Sequence, residues 1–345
     1  MSVPASNSLR KSVIRDSTVR RRPAIIVLLI LAVVISVVIN IAIGDVRIRP
    51  EQLLRMVTGS GDPQLSSIII SYRLPRVALA LLVGASLAVA GVIAQGVMRN
   101  PLAAPDTLGL TGGAGLAAVI VTLLLPHSAP STLTTAAFMG GIIAACAVYA
   151  LAYRHGVIPV RLALVGVAIS AFCSAGIQLL VSKSLPNVNA ALIWLSGSLW
   201  GRTWDQVLHM LPWVAVVIPL AWLMGLRLDI TRLGDLSAKG LGIHLEGTRV
   251  MLLVMAVLLT AAAVAAAGTI GFVGLITPHM ARRLVGARHR ILIPVAALLG
   301  GLLVLIADAL GRGLLPPLEI PAGLIVSVIG GPYFLFLLWR HSRRK

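Results

Sequence analysis

Long apolar segments recur along almost the whole chain and limit its possible folds more than any other feature. The 345 residues are 58% hydrophobic and only 12% charged. A water-soluble domain of this length could not bury so much apolar surface. Many segments reach the ~20 apolar residues that a helix needs to cross a hydrocarbon core. The strict alternation of a transmembrane barrel is missing from the sequence. The sequence therefore predicts an all-α polytopic membrane protein, whose backbone polar groups are satisfied within helices.

Ten membrane-spanning helices are predicted, and an even number places both chain ends on one side. Of the 29 Lys and Arg residues, 21 fall on the side of the N-terminus, which the positive-inside rule makes the cytoplasmic side. We expect a basic cytoplasmic tail without stable secondary structure (1–23), a helical domain (24–340), a cytoplasmic loop (227–248) and a cytoplasmic C-terminal tail (341–345). The predicted spans are about 24–43, 76–96, 107–125, 133–152, 162–181, 207–226, 249–267, 269–286, 291–311 and 321–340.

The net charge of +18 would suggest nucleic-acid binding in a soluble protein. Here the basic residues lie in short loops and tails, where they orient the helices, and an aromatic content of 4% argues against a base-stacking surface. The sequence contains no GxxxxGK[ST] loop for ATP phosphates and no HExxH zinc motif. We therefore expect no catalytic residue, no metal, no cofactor and no nucleic acid bound by this chain.

Ionisable and amide side chains within the predicted spans are few. Asp308 is the best candidate for a proton-coupling carboxylate, which an ion-coupled secondary transporter would need near the bilayer midplane. It stands four residues before Arg312, so an i,i+4 ion pair is the simpler interpretation. Gln95 and Gln178 also lie within spans, and we expect neighbouring helices to satisfy them rather than a substrate.

Three long segments resemble the signature sequences of a known family. They are "RLPRVALALLVGASLAVAGVIAQGVMRNPLAAPDTLGLTGGAGLA" (73–117), "GTIGFVGLITPHMARRLVG" (268–286) and "LIADALGRGLLPPLEIPAGLIVSVIGGPYFLFLL" (305–338). They resemble the FecCD family, the permease subunits of bacterial ABC importers for iron–siderophore complexes, haem and cobalamin. The segment "NAALIWLSGSLWGRTW" (189–204) is most similar to the ferric-siderophore members, in particular the ferric enterobactin, or catecholate, branch.

The resemblance implies a fold, a location and an assembly. The fold is the ten-helix permease fold of cobalamin and siderophore importers, in the bacterial cytoplasmic (inner) membrane. A second permease subunit, either a copy or a paralogue, would form the path for a ferric siderophore, with cobalamin or haem as the alternative substrate. Two cytoplasmic ATPase subunits would bind ATP and magnesium. A periplasmic or lipid-anchored siderophore-binding protein would deliver the substrate.

A short polar segment in the predicted loop, "RLGDLSAKGLGIH" (232–244), is the candidate contact with the ATPase. Asp235 favours a helix N-terminus and Gly240 favours a helix end. Leu236 and Leu241 would be apolar anchors for a partner pocket. The resemblance assigns this role to the whole short helix. A re-entry turn that touches only lipid headgroups is the alternative. The assigned residues are Asp235, Leu236, Ser237, Ala238, Lys239, Gly240 and Leu241.

The resemblance assigns two further sites. Arg73, Arg76 and Arg312 match the arginines that receive glutamates of the binding protein, and a guanidinium group suits bidentate binding of a carboxylate. Their alternative role is headgroup anchoring or, for Arg312, the pair with Asp308. Pro159 and Val160 fall where the family has its cytoplasmic gate.

Overall fold

The fold of the chain comes from a computed structural model that describes residues 6–44, 62–154, 156, 158–183, 186–232, 234–315 and 318–342, with residues 48, 49, 51, 52, 55 and 58. Of residues 6–21, 341 and 342 only the backbone is described. The helices are α1 (Ser6–Ala42), α2 (Pro63–Ile68), α3 (Leu74–Val97), α4 (Leu110–Leu124), α5 (Pro130–Ala152), α6 (Pro159–Ser182), α7 (Val188–Leu195), α8 (Trp204–Leu223), α9 (Gly225–Thr231), α10 (Asp235–Gly240), α11 (Leu245–Ala267), α12 (Val273–Val285), α13 (His289–Gly313) and α14 (Ala322–Ser342).

Ten of these helices follow the ten predicted spans in order, which confirms the predicted fold class. Within the described residues, eight helices are long and apolar enough to cross a membrane. The longest joins α2 to α3 through a single π-helical turn, so that 35 residues form one continuous helix. The two shorter helices are α4, with 15 residues, and α12, with 13. At a rise of 1.5 Å per residue, α12 is only about 20 Å long.

Helix α12 starts later than the predicted span 269–286 because the backbone before it is left-handed. Gly268 has φ +77°, and Phe272 has φ +65° although it carries a side chain. An α-helix cannot continue through such residues, so the connection between α11 and α12 is non-helical.

Helix α1 extends in the other direction, to Ser6. The predicted tail of residues 1–23 was expected to lack stable helix, and that expectation is wrong from Ser6 onward. Residues 6–22 contain neither Gly nor Pro, so nothing in this segment stops the helix that the apolar residues continue.

Helix α3 forms the centre of the bundle and packs against α8, α11, α12 and α13. Of the apolar 18-residue segment of the continuous helix Pro63–Val97, 78% is buried within the chain. The corresponding share is 6% for α1 and 11% for α6. The contacts of α3 depend on glycines that let helix backbones approach. Gly84 lies against Gly300, and Gly91 lies against Gly274. The exposed apolar faces of α1 and α6 are left for lipid or for another subunit.

The two ends of the bundle carry different polar groups. At one end of the bundle, called the α10 end, α9 packs beside α10 and the start of α13, and α10 contacts α11. Arg22 of α1 reaches Gly286 there. At the other end, called the Arg76 end after a residue in the first turn of α3, the C-terminus of α1 meets the start of α3 and the end of α13. Helix α14 follows the end of α13 at the Arg76 end and extends back toward the α10 end. The N-terminus of α1 and the C-terminus of α14 therefore both lie at the α10 end.

A Cβ atom at Gly91 would lie only 2.0 Å from the carbonyl oxygen of Gly274. We expect Gly91→Ala to force α3 and α12 apart, at a cost of about 1–3 kcal/mol as for other overpacked cores. Thermal unfolding of the detergent-purified protein should show a lower midpoint. Gly331→Ala is the matched control, because no described residue lies within 4 Å of its Cβ position. An unchanged midpoint in Gly91→Ala would contradict the close backbone contact.

Candidate functional sites

At the Arg76 end, two of the three predicted docking arginines turn inward to the C-terminus of α1. Arg73 donates to the carbonyl oxygens of Ile41 and Ala42. Arg312 donates to the carbonyl of Ile43 at 2.7 Å and to the side-chain oxygen of Asn40 at 2.6 Å. The last carbonyls of a helix have no partner within the helix and carry partial negative charge. Both guanidinium groups therefore stabilise the end of α1.

Arg76, the third arginine of this group, is held by two carboxylates. Its Nε lies 3.1 and 3.0 Å from the two oxygens of Asp308, and its Nη2 lies 2.9 Å from Asp308 Oδ1. Nη2 also lies 2.9 Å from Glu319 Oε2. The Asp308 side chain is 3% exposed, whereas that of Glu319 is 24% exposed. Arg76 thus joins the start of α3 to the end of α13.

Asp308 is the centre of this network because it binds two guanidinium groups. Its Oδ2 lies 3.3 Å from Nε of Arg312, which confirms the ion pair predicted from the i,i+4 spacing. The bond to Arg76 could not be read from local spacing, because 232 positions separate the two residues. The sequence prediction also missed the contact between Arg312 and Asn40 of α1. The one local signal for it is that Asn40 is a polar residue near the end of an apolar run.

At the α10 end, Asp235 anchors the short helix that the sequence predicts. Helix α10 begins at Asp235 after Gly234, whose φ is +107°, and ends at Gly240 as predicted. The carboxylate does not cap its own helix: it contacts Arg99 and lies 2.8 Å from Nη2 of Arg249. Arg99 also donates to the carbonyl of Thr231 at 2.7 Å. The loop is thereby bound to the ends of α3 and α11.

The charge state of Asp235 follows from these partners. Partial burial raises the pKa of the carboxyl, but the hydrogen bonds and positive charges of Arg99 and Arg249 outweigh burial and hold the pKa below its usual value. The carboxylate is therefore ionised at neutral pH, and the contact of α10 with α3 and α11 is an ionic one.

The side chains of α10 divide into a buried and an exposed face. Ala238 is fully buried, whereas Leu236 is 89% exposed and Leu241 is 62% exposed. Ser237, Lys239 and Gly240 are exposed as well. The structure therefore places the predicted apolar anchors where another protein could reach them.

The segment before α6 and the segment after α10 line an open cavity of about 710 Å³. Tyr153 and Ile158 line one wall, and Lys239 and Glu246 line the other. The predicted gate residues follow directly: Pro159 is the first residue of α6, and Val160 is 69% exposed. The structure thus brings the predicted gate segment next to the predicted coupling loop.

A pair that sequence reasoning missed joins α9 to α13. Asp229 accepts from the backbone N–H of His289 at 3.2 Å and lies 2.7 Å from its Nδ1. Asp229 therefore caps the N-terminus of α13 from another helix. Burial raises the pKa of Asp229, but the bonds and charge of His289 outweigh burial and lower the pKa.

These features can be compared with known proteins. The sequence profile of the FecCD transport family matches residues 29–340. The chain belongs to the FecCD transport family. A similar relative is the Fe(3+)-citrate import system permease protein YfmE of Bacillus subtilis (strain 168), at 45% identity over 96% of this chain and 100% of that protein. The ferric enterobactin transport system permease protein FepG of Escherichia coli (strain K12) is 36% identical over 92% of this chain and 96% of that protein.

A solved structure shares the fold of this FecCD member. It shows an inward-facing conformation of a metal-chelate type ABC transporter and superposes with a TM-score of 0.84 at 31% identity, covering 92% of this chain and 99% of that chain. The fold that the resemblance implied is thereby confirmed over nearly the whole length of the FecCD member described above.

Asp308 and Glu319 both bind Arg76 but differ in burial, so substitutions of these two carboxylates should have unequal effects on stability. Asp308→Asn would leave Arg76 and Arg312 without their shared counter-charge, and breaking a buried pair costs about 3–5 kcal/mol. Glu319→Gln, at a more exposed position, should cost less, because solvent screens this carboxylate more than Asp308. Thermal unfolding midpoints of the two purified variants would measure the difference. Equal, small shifts would show that Asp308 does not hold the network together.

Proposed function

We propose that this chain is one permease subunit of an ATP-binding-cassette importer that carries a ferric siderophore or a related iron(III) chelate across the bacterial inner membrane. The observation that carries the proposal is the full-length similarity to a permease of a Fe(3+)-citrate import system, together with family membership over residues 29–340. The similarity to an enterobactin permease at lower identity favours the class of iron chelates without singling out one of them.

An ion-coupled secondary transporter is less well supported. A coupling carboxylate has to bind and release a proton in the transport cycle. Asp308, the candidate from the sequence, has its oxygens occupied by Arg76 and Arg312. Cobalamin or haem stays the alternative substrate within the same architecture. In that architecture the pathway would form between two permease subunits.

We assign the ATP-driven step to separate ATPase subunits that bind ATP and magnesium and contact α10. Leu236 and Leu241 would enter an apolar pocket of the ATPase, while Asp235 keeps α10 bound to Arg99 and Arg249. Because Arg99 follows α3 and Arg249 lies in α11, a displacement of α10 would pull on two buried helices of the bundle. The α10 end is then the cytoplasmic end, in agreement with the 21 of 29 basic residues on that side.

The Arg76 end would then face the periplasm and the siderophore-binding protein. Of the two carboxylates that bind Arg76, Glu319 is more exposed than Asp308. We propose that a glutamate of the binding protein exchanges with Glu319 on Arg76. Arg73 and Arg312 would add positive potential from behind while they hold α1.

The second permease subunit, a copy or a paralogue, would pack on apolar surface that this chain leaves exposed. On α6, Val160, Leu164 and Phe172 are each more than half exposed. With such a partner, Pro159 and Val160 would lie at the mouth of the pathway and act as the gate next to the cavity at the α10 end.

The experiment that tests the transport class uses proteoliposomes with the complete complex and ⁵⁵Fe(III)-citrate as the probe. Uptake should require ATP and magnesium on the α10 side and should persist when an uncoupler removes the proton gradient. The purified chain alone should hydrolyse no ATP. Uptake that follows the proton gradient without ATP would contradict the ABC class, whereas ATP-driven uptake of haem or cobalamin instead of iron citrate would revise only the substrate.

The second test separates the coupling helix from the rest. Leu236→Asp should abolish co-purification with the ATPase, because a buried, unpaired charge costs several kcal/mol at a packed contact. Leu236→Met keeps the apolar contact and is the matched control. Insertion should be normal in both variants, since the side chain is 89% exposed in the isolated chain. Normal pull-down and uptake by Leu236→Asp would show that α10 is not the contact.

A further inference from the structure

A second cavity at the α10 end, with a volume of about 360 Å³, is lined largely by basic side chains. Four elements contribute to it. Arg99 follows α3, Arg232 follows α9, Arg282 lies in the last turn of α12 and His289 is the first residue of α13. The cavity is much larger than the ~10–15 Å³ of accessible volume that one buried water needs. No role assigned above uses this space.

The positive charges around this basic cavity are only partly compensated. Arg99 is bound to Asp235, and Arg232 donates to the carbonyl of Ala287 at 3.0 Å. Arg282 differs, because its buried Nη2 has no hydrogen-bond partner among the described residues. A buried guanidinium nitrogen without an acceptor is costly. Asp235 and Asp229 bind Arg99 and His289, but neither carboxylate is among the described residues that line the cavity. An anion in the cavity would supply the missing acceptor.

Gln95 adds a second, independent observation. Its side chain is 4% exposed and lines the same cavity. Nε2 faces the carbonyls of Gly274 and Leu275 at 3.5 and 3.4 Å, as expected for an amide satisfied by a neighbouring helix. Oε1 is buried and has no partner among the described residues. Two residues that line the cavity thus carry a buried polar atom without a partner among the described residues, an acceptor on Gln95 and a cationic donor on Arg282.

We propose that the basic cavity binds a phosphoryl group that also carries an O–H. The guanidinium groups of Arg282 and Arg232 would bind the anionic oxygens, which suit their planar donor geometry. Gln95 Oε1 would accept from the hydroxyl. Inorganic hydrogen phosphate has both features, and so does the headgroup of phosphatidylglycerol, whose glycerol supplies the hydroxyl.

A ligand in this position would join the ends of four helices. It would contact Arg99, which follows α3, and Arg232, which lies between α9 and α10. Binding would therefore brace the α10 end of the bundle, and its effect should be visible as thermal stabilisation of the isolated chain, whatever the transported substrate is.

The first arm of the test uses inorganic phosphate and the full-length chain in detergent. Isothermal titration calorimetry should show binding, and the unfolding midpoint should rise with phosphate. Sulfate is the matched anion, because it carries no hydrogen at neutral pH and should bind more weakly. Arg282→Gln should weaken binding about tenfold, since one charged hydrogen bond is lost. The neighbouring exposed Arg283→Gln should bind as the unmodified chain does. If Arg282→Gln fails to fold, Arg232→Gln serves for the same comparison.

The second arm uses nanodiscs of phosphatidylcholine with and without phosphatidylglycerol. Stabilisation by phosphatidylglycerol that is lost in Arg282→Gln but kept in Arg283→Gln would identify a lipid headgroup as the source, and stabilisation by phosphate alone would identify the free ion. Lack of stabilisation by both would overturn the proposal and leave the cavity to water. Equal responses of the two arginine variants, or equal binding of sulfate, would also contradict it.

Discussion

Close contact between glycine backbones is the constraint on which the rest of this structure depends. Lipid offers helices no hydrophobic gain on association, so helices in a bilayer are held by close packing and by polar contacts. Gly84 against Gly300 and Gly91 against Gly274 bring α3 into direct contact with α13 and α12. These two contacts, seven residues apart, hold α3 against both neighbours. The ionic contacts of Arg76 and of Arg99 lie at the two ends of this helix.

Helix α3 also connects the polar contacts at the two ends of the bundle. Arg76 stands near its start and Arg99 just after its end, and the 24 residues of the helix extend about 36 Å. Arg76 holds Asp308 and Glu319, and Arg99 holds Asp235. A rigid, buried helix with an ionic contact at each end could link events on the two sides of a membrane. The physical requirement is that both ends bias the same two-state element.

The sequence predicted what local pattern encodes. Apolar runs located ten helices to within a few residues, except for the earlier starts of α1 at Ser6 and of the continuous helix at Pro63. The i,i+4 spacing gave the Asp308–Arg312 pair, and Asp235 and Gly240 gave the bounds of α10. Pattern could not give contacts between distant positions, such as Arg76 with Asp308 or Asp229 with His289. Nor could it give the short α12: the backbone of Phe272 is left-handed, which no local pattern favours for a phenylalanine, and its side chain lies against Gly330. The sequence also did not predict that Arg73 and Arg312 bind the C-terminal carbonyls of α1, because that helix end is distant from both residues in sequence.

The small size of α10 explains why its ionic contacts matter. A helix of six residues is not stable alone in water, because nucleation costs more than so few hydrogen bonds return. Helix α10 is ordered by Asp235, which contacts Arg99 and Arg249, and by the buried Ala238. Its exposed leucines are thus presented by contacts to α3 and α11 rather than by the helix itself. A partner that moves α10 must therefore either move those two helices with it or break the ionic contacts, and the first of these is what coupling requires.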